Sequence, residues 1–216
     1  MNELPELPPT SWAVLGCLGF DEELSGYDIK KWADWSIGHF YWSPSFSQVY
    51  SELKRLEKLG YATSREHRDV GVRGRRVYQI TAAGRDAVRR WAIESAVEPP
   101  ILKHGVMLRV WMGHLNDPEQ LKQMVQDYID QMDQLNRELE IDTAGAAEDP
   151  AWAFPRVTMN WAKRYYAAER ELARELLAEI DEAHETLVKS SPDGSLPIRP
   201  GHWREVEESI KIAKSS

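Results

Sequence analysis

The chain has 216 residues, 42% hydrophobic and 29% charged, with 27 Lys and Arg against 35 Asp and Glu and a formal net charge of −8. That length suits one large or two small globular domains. A lone cysteine, Cys17, excludes an internal disulfide and a cysteine-based metal site, and the chain has no run of about 18 apolar residues for a membrane span.

SWAVLGCLGF is apolar almost throughout and predicts a helix buried in a small core and ending near Gly19, with Cys17 as a small buried hydrophobe. In SGYD, Ser25 can cap a helix whose third residue, Asp28, returns a hydrogen bond. That helix is expected to reach about His39, with Tyr27, Ile29, Trp32, Trp35 and Ile37 as its apolar content. The next helix is expected to take Ser43 as N-cap and Pro44 as its first residue, and to stop at Gly60, a left-handed terminator. Val49, Tyr50, Leu53 and Leu56 form its inward stripe; Ser47, Gln48, Ser51, Lys54, Arg55 and Lys58 fall mostly on the outward arc. YATSREHRD and RRVYQIT predict the two strands of a hairpin, turned at VGVRG, with arginines clustered at its tip. Thr81 then caps TAAGRDAVRRWAIES, which VEPP breaks at Pro99 and Pro100.

The remainder reads as helical. ILKHGVMLRVWMGHL is one amphipathic piece, and Asp117 and Pro118 open another in which Leu121, Val125, Tyr128, Met132, Leu135 and Leu139 make a heptad seam. Asp149 and Pro150 open a long helix with Trp161, Tyr165, Ala168, Leu172, Leu176, Ala183 and Leu187 on one side. The two seams can pair within the chain or form a dimer interface, and periodicity does not choose between these. SPDGSLPIRPG is a linker, and HWREVEESIKIAKSS is a short helix that either frays or docks by Trp203.

Charge is distributed unevenly. Residues 43–90 hold eleven basic and five acidic side chains, a net +6, whereas residues 117–189 hold eight basic and seventeen acidic, a net −9. A basic binding module joined to an acidic domain has this pattern, although exposed helices also carry charge for solubility alone. The order of helix, helix, capped basic helix, hairpin and helix is that of a winged helix-turn-helix. The recognition helix of such a module presents short polar side chains near its N-terminus, where base edges are reached and the helix dipole favours phosphate. Ser43, Ser45, Gln48, Tyr50, Ser51, Lys54 and Arg55 on the helix, with Arg73, Arg75 and Arg76 on the wing, are therefore the candidate DNA contacts. Gln48 has the amide that pairs with adenine. Lys54, Arg55 and the wing arginines suit phosphates or the adjoining minor groove. Tyr50 reads equally as a core residue or a phosphate contact.

SGYDI, QVYSELKRLEKLGY, RGRRVYQIT and AAGRDAVRRW resemble the N-terminal domain of PadR-type transcriptional regulators over about residues 9 to 92. The shared pattern lies on Tyr50, Leu53, Arg55, Leu56, Glu57, Gly60, Arg76, Tyr78, Ile80 and Thr81. Ser47 and Gln48 depart from the glycine-threonine or serine-threonine pair common in the family, which leaves the operator sequence open. The helical second half is similar in pattern to the C-terminal domain of the larger members. The resemblance implies a mainly α fold with a two-stranded wing and an all-α dimerisation domain. It further implies a homodimeric repressor that binds an inverted-repeat operator in double-stranded DNA and is released by a small hydrophobic or aromatic effector.

The expected division is residues 1–96 for DNA binding, 97–190 for dimerisation and effector binding, and 191–216 for a linker and tail. Leu121, Val125, Tyr128, Met132, Leu135, Leu139, Tyr165, Leu172 and Leu176 are the candidate dimer residues. Trp91, Trp111, Trp152, Phe154 and Trp161 are candidates for an effector pocket, with core packing as the alternative. No metal, cofactor or catalytic residue is expected, because the six histidines lack ligand spacing and no phosphate loop or nucleophile elbow occurs. The start MNELPELPPT lacks a basic and an apolar leader region, so a cytoplasmic, membrane-free protein is expected. The competing function is a protein-interaction module that uses the heptad helices, with the winged helix as scaffold.

Overall fold

The computed structural model describes residues 5–67, 74–144, 149–191 and 200–215. The chain divides into two compact units, one comprising Met1–Ile101 with Leu135–Tyr166 and the other Leu102–Gln134 with Ala167–Ser216.

In the first unit, α1 (Pro9–Leu18) begins with proline, whose missing N–H costs nothing at a helix start. Trp12, Val14, Leu15, Cys17 and Leu18 are all buried, so the helix is wrapped by core on most of its circumference. Then come β1 (Leu24–Ser25) and α2 (Gly26–Trp35). Ser25 caps α2 as expected, with both halves of the capping box present: its Oγ accepts the Asp28 N–H and the Asp28 carboxylate accepts the Ser25 N–H at 2.8 Å. The helix stops at Trp35 rather than His39, because Ser36 leaves helical geometry at φ −131° and ψ −82° and the chain tightens into a 3-10 turn over Ile37–His39. Tyr27 is 54% exposed and contributes nothing to the core.

Helix α3 spans Phe46–Lys58. Its end is a Schellman motif: Gly60 has φ +74°, its N–H donates to the Glu57 carbonyl, and the Tyr61 N–H donates to that of Leu56. Two longer strands follow, β2 (Ala62–His67) and β3 (Arg75–Ile80), paired antiparallel from Ala62↔Ile80 to His67↔Arg75. β1 adds a short third strand on the other side of β3, so the order is β1-β3-β2. The sequence shows no alternation over so few residues, and that strand went unread. The turn of the hairpin, including Arg68 and Arg73, lies outside the described residues.

Thr81 ties the sheet to α4 (Ala82–Glu94): its hydroxyl donates to the Gly60 carbonyl at 2.7 Å and accepts the Gly84 N–H at 3.0 Å. A Cβ at Gly84 would lie 2.2 Å from the Tyr61 carbonyl oxygen, so only glycine permits this approach. Leu15, Leu18, Ile29, Val49, Leu53 and Leu56, all fully buried, form the centre of the core with Leu24, Trp32, Ala62, Tyr78 and Ile80 around them. The arrangement is a winged helix-turn-helix with a three-stranded sheet. The same unit includes a 3-10 turn at Pro150–Trp152 and the adjoining parts of α6 (Pro118–Ala144) and α7 (Ala153–Ser190). There the His39 ring sits 2.8 Å from the Asp142 carboxylate, and the Tyr166 hydroxyl donates to the His39 carbonyl. Burial pushes the Tyr166 phenol above its ordinary pKa.

The second unit is helical throughout its described residues, with α5 (Gly105–Trp111), a 3-10 turn at Gly113–Leu115, the first part of α6, the last part of α7, and α8 (His202–Ser215). Val106, Leu121, Val125, Ile129, Ala173 and Ile180 make its core. Between α5, α6 and α7, the Glu169 carboxylate receives the Tyr128 hydroxyl at 3.2 Å and lies 2.5 Å from the His104 Nε2. His104 also caps α5 through Nδ1, which accepts the Met107 N–H, so the imidazole presents its proton to Glu169. All of α8 is exposed; Trp203 remains 63% accessible, with the Arg204 guanidinium over its ring. No helix among the described residues is long and apolar enough to cross a membrane.

Candidate nucleic-acid interface

The N-terminus of α3 starts two residues later than its sequence suggests. Ser45, not Ser43, is the N-cap: its Oγ accepts the Gln48 N–H at 3.3 Å, and Gln48 Oε1 accepts the Ser45 N–H at 2.8 Å. The reciprocal pair satisfies two orphan amides, which a cap at Ser43 cannot do with Phe46 at the third position. Ser43 instead donates its hydroxyl to Asp34 at 2.6 Å and accepts from the Lys30 ammonium, while Pro44 is buried. Burial pushes the Asp34 carboxyl up, yet the hydrogen bonds from Lys30 and Ser43 outweigh it and hold the group below its ordinary pKa.

With the helix phased this way, Ser45, Phe46, Ser47, Gln48, Tyr50, Ser51, Lys54 and Arg55 are all exposed. Tyr50 leaves the inward stripe to which its spacing assigns it and is 44% accessible. Its ring lies across Gly26, where an added Cβ would come within 2.4 Å of Tyr50 Cε1. Gly26 thus lets α2 and α3 approach closely at their N-terminal ends. Val49, Leu53 and Leu56 hold the opposite face against the core, and Glu52 is buried beside them. The Glu52 carboxylate takes the Ser11 hydroxyl and the Arg55 Nε, the latter at 3.0 Å, so Arg55 is anchored with its guanidinium half exposed. Bidentate pairing of Gln48 with adenine needs its carbonyl oxygen free, which requires opening the capping box.

On the wing, Arg75 and Arg76 are exposed, and Arg76 stands opposite Glu66 in the ladder. Arg75 Nη1 lies 3.1 Å from Asp28 Oδ2, the carboxylate that caps α2. Arg65 pairs with Glu23, with Nε 2.7 Å from Oε1, and that hydrogen bond holds the Glu23 carboxyl below its ordinary pKa. Lys54, Lys58, Arg75 and Arg76 leave this face positive in a chain whose total charge is negative.

The five effector candidates have separate surroundings. Trp91 stacks on Trp12 at 5.1 Å, and Trp152 packs among Phe20, Trp32 and Trp35 at 5.0 to 5.4 Å. Phe154 is 85% exposed, and Trp161 is exposed and stacks on Tyr165. In the second unit, Trp111 lines a 490 Å³ cavity with Leu121, Ile180, His114 and His184. The dimer candidates divide likewise. Leu121 and Val125 are buried, with Tyr128 and Leu176 packed against them, in the core of the second unit; Met132 and Leu139 are buried and Leu135 is half-buried. On α7, however, the buried side is Met159, Ala162, Tyr166, Ala173 and Ile180. Trp161, Tyr165, Ala168 and Leu172, read as one seam for either a helical hairpin or a dimer, are exposed. Apolar residues occupy two faces of this helix, and one of them is left exposed.

Among the described residues no cluster of His, Cys, Asp and Glu is placed to hold a metal ion. The Transcriptional regulator PadR-like family matches residues 14–90. The negative transcriptional regulator PadR of Bacillus subtilis is 34% identical over 100 residues, 46% of this chain and 54% of that protein, so the chain aligns with about half the length of this relative. Among solved structures, B. subtilis PadR in complex with operator DNA superposes with a TM-score of 0.69 at 24% identity, over 79% of this chain and 98% of that one. B. subtilis PadR in complex with p-coumaric acid gives 0.63 at 22% identity, over 82% and 99%. These superpositions establish the fold. With the sequence match over residues 14–90, the N-terminal winged helix is similar to the PadR-like transcriptional regulator domain.

Proposed function

We propose that the chain is a sequence-specific, homodimeric repressor that binds an inverted-repeat operator in double-stranded DNA and releases it on binding a small hydrophobic or aromatic effector. The observation that carries this reading is the N-terminal half of α3. It is capped, exposed and polar, fixed from behind by a sealed core, and set in the same domain as the exposed arginines of β3. Short polar side chains at that end suit base edges, free amides and the helix dipole suit phosphate, and Lys54, Arg75 and Arg76 add affinity without sequence choice. The relatives support the rest: one is named a negative regulator, and its structures were solved with operator DNA and with p-coumaric acid. In this reading residues 1–96 bind DNA, 97–190 dimerise and take the effector, and 191–216 are a linker and tail. The exposed apolar face of α7 favours a second protomer as its cover. An effector acts by binding the released geometry better than the operator-bound one.

The test is titration of the purified protein onto DNA from upstream of its own gene, against scrambled DNA, at several salt concentrations. The expected result is preference for the upstream DNA, with log affinity falling by about 0.9 per phosphate contact per unit of log salt. Replacing Arg73, Arg75 and Arg76 together by alanine should abolish binding and leave the oligomeric state unchanged. Equal, weak binding to both DNAs would favour a protein-interaction role.

A further inference from the structure

Two aromatic rings stand outside the core beside the N-terminus of the recognition helix. Phe46, the first residue of α3, is 43% exposed, and Tyr27 in the first turn of α2 is 54% exposed. They stack on each other with centroids 5.9 Å apart and planes inclined by 16°. Each carries an ammonium near its face: Lys30 Nζ is 5.8 Å from the Phe46 centroid and Lys31 Nζ is 5.8 Å from that of Tyr27. Neither ring belongs to the hydrophobic core of the domain. The stack is fixed by its surroundings: the capping box sets the phase that turns Phe46 outward, Tyr50 against Gly26 holds the two helix starts together, and Lys30 is tied to Ser43 and Asp34.

A cation-flanked apolar stack is poorly suited to an apolar protein partner, which would have to desolvate both ammonium groups. It suits a surface that alternates apolar groups with fixed negative charge. In the major groove that apolar group is the thymine 5-methyl, which phenylalanine contacts, and the flanking charges are phosphates. The first residue of a recognition helix stands at base-edge depth, while the start of the preceding helix stands at the backbone.

We infer that Phe46 is a specificity-determining residue that reads a thymine methyl group in each half-site. Tyr27 backs its ring, and Lys31 takes the neighbouring phosphate. The inference rests on the DNA-binding reading above and continues that surface by one residue towards α2. It also accounts for an exposed phenylalanine at a position where water alone gives no reason for one.

The experiment begins with selection of bound sequences from a random duplex library by the full-length protein. Each thymine of the selected site is then replaced singly by uracil, which removes only the methyl group. For the wild type, uracil at one position per half-site should weaken binding about fourfold, the effect of returning one methyl group to water. Phe46→Ala should bind the thymine and uracil sites equally, and Phe46→Leu, which keeps an apolar contact, should retain part of the preference. An enriched site at which wild-type protein is indifferent to uracil everywhere would overturn the assignment and leave the DNA-binding reading intact. So would a Phe46→Ala variant with undiminished uracil discrimination. Failure to enrich any sequence would remove both readings together. The uracil scan on wild-type protein decides the matter even if the alanine variant folds poorly.

Discussion

Helices α3 and α7 are both amphipathic, yet they use their apolar residues in opposite ways. In α3, Val49, Leu53 and Leu56 are fully buried, and the other face carries the exposed polar and basic side chains of the candidate interface. In α7, one apolar face is buried at Met159, Ala162, Tyr166, Ala173 and Ile180, while Phe154, Val157, Trp161 and Leu172 remain more than half exposed. A single stripe can be filled by one core. A helix with two stripes needs a second surface, and leaving so much aromatic and aliphatic area in water opposes solubility. The comparison separates a helix whose apolar stripe is taken up by one core from a helix with an apolar face still exposed to water.

That contrast can be broken in three ways. The largest expected effect concerns Cys17, which lies in the sealed core and whose thiol burial pushes up to about 12 from an ordinary 9.0. A raised folded-state pKa means the native state keeps its proton where the unfolded state loses it. Stability is therefore retained below about pH 9 and declines as pH rises from there towards 12. At pH 8 a thiol reagent should modify native protein at least about a thousandfold more slowly than urea-unfolded protein, since reaction requires opening of the core. Comparable rates would show that the core is not closed.

Next in size, Leu53→Ala removes a fully buried side chain at the centre of that core. It should lower unfolding free energy by about 2–5 kcal/mol in urea titration. A change below about 1 kcal/mol would mean that α3 is not held by its apolar stripe.

The smallest effect on the folded protomer is expected for Leu172→Ala, at a side chain 58% exposed. Its intrinsic cost should stay within about 0.5 kcal/mol. If a second protomer covers this face, the dimer should nonetheless dissociate at higher concentration than wild type in sedimentation velocity. An unchanged dissociation constant would point to a different dimer surface and leave the exposed stripe of α7 without a role.

Several features were legible because their causes are local. Ser25 with Asp28, Thr81 before its helix, Gly60 with φ +74° and the two long strands each depend on a few neighbouring residues competing for backbone amides or for permissible dihedral angles. The same local logic misplaced the start of α3. Ser43-Pro44 and Ser45 both satisfy capping preferences, and only the completed hydrogen bond from Ser45 to Gln48 Oε1 distinguishes them. That shift of two residues hid Phe46, because a helix begun at Pro44 gives no special significance to its third residue. Tyr50 was left between core and surface for a related reason: periodicity ranks it among the apolar residues, while its actual position depends on whether the facing residue is as small as Gly26.

The sequence by itself determined where most elements start and stop, that the first hundred residues build a winged helix with a basic face, and that the remainder is helical. These follow from capping, from dihedral preferences and from hydrophobic periods, all of which act over one or two turns of chain. Tertiary structure alone decided that the two residues β1 supplies join the sheet, and that Glu52 is buried against Ser11. It also decided that Trp152 packs with Phe20, Trp32 and Trp35, and which of two apolar faces α7 buries. Each of these depends on residues from tens to more than a hundred positions apart meeting in space, and no property of either partner alone specifies the other.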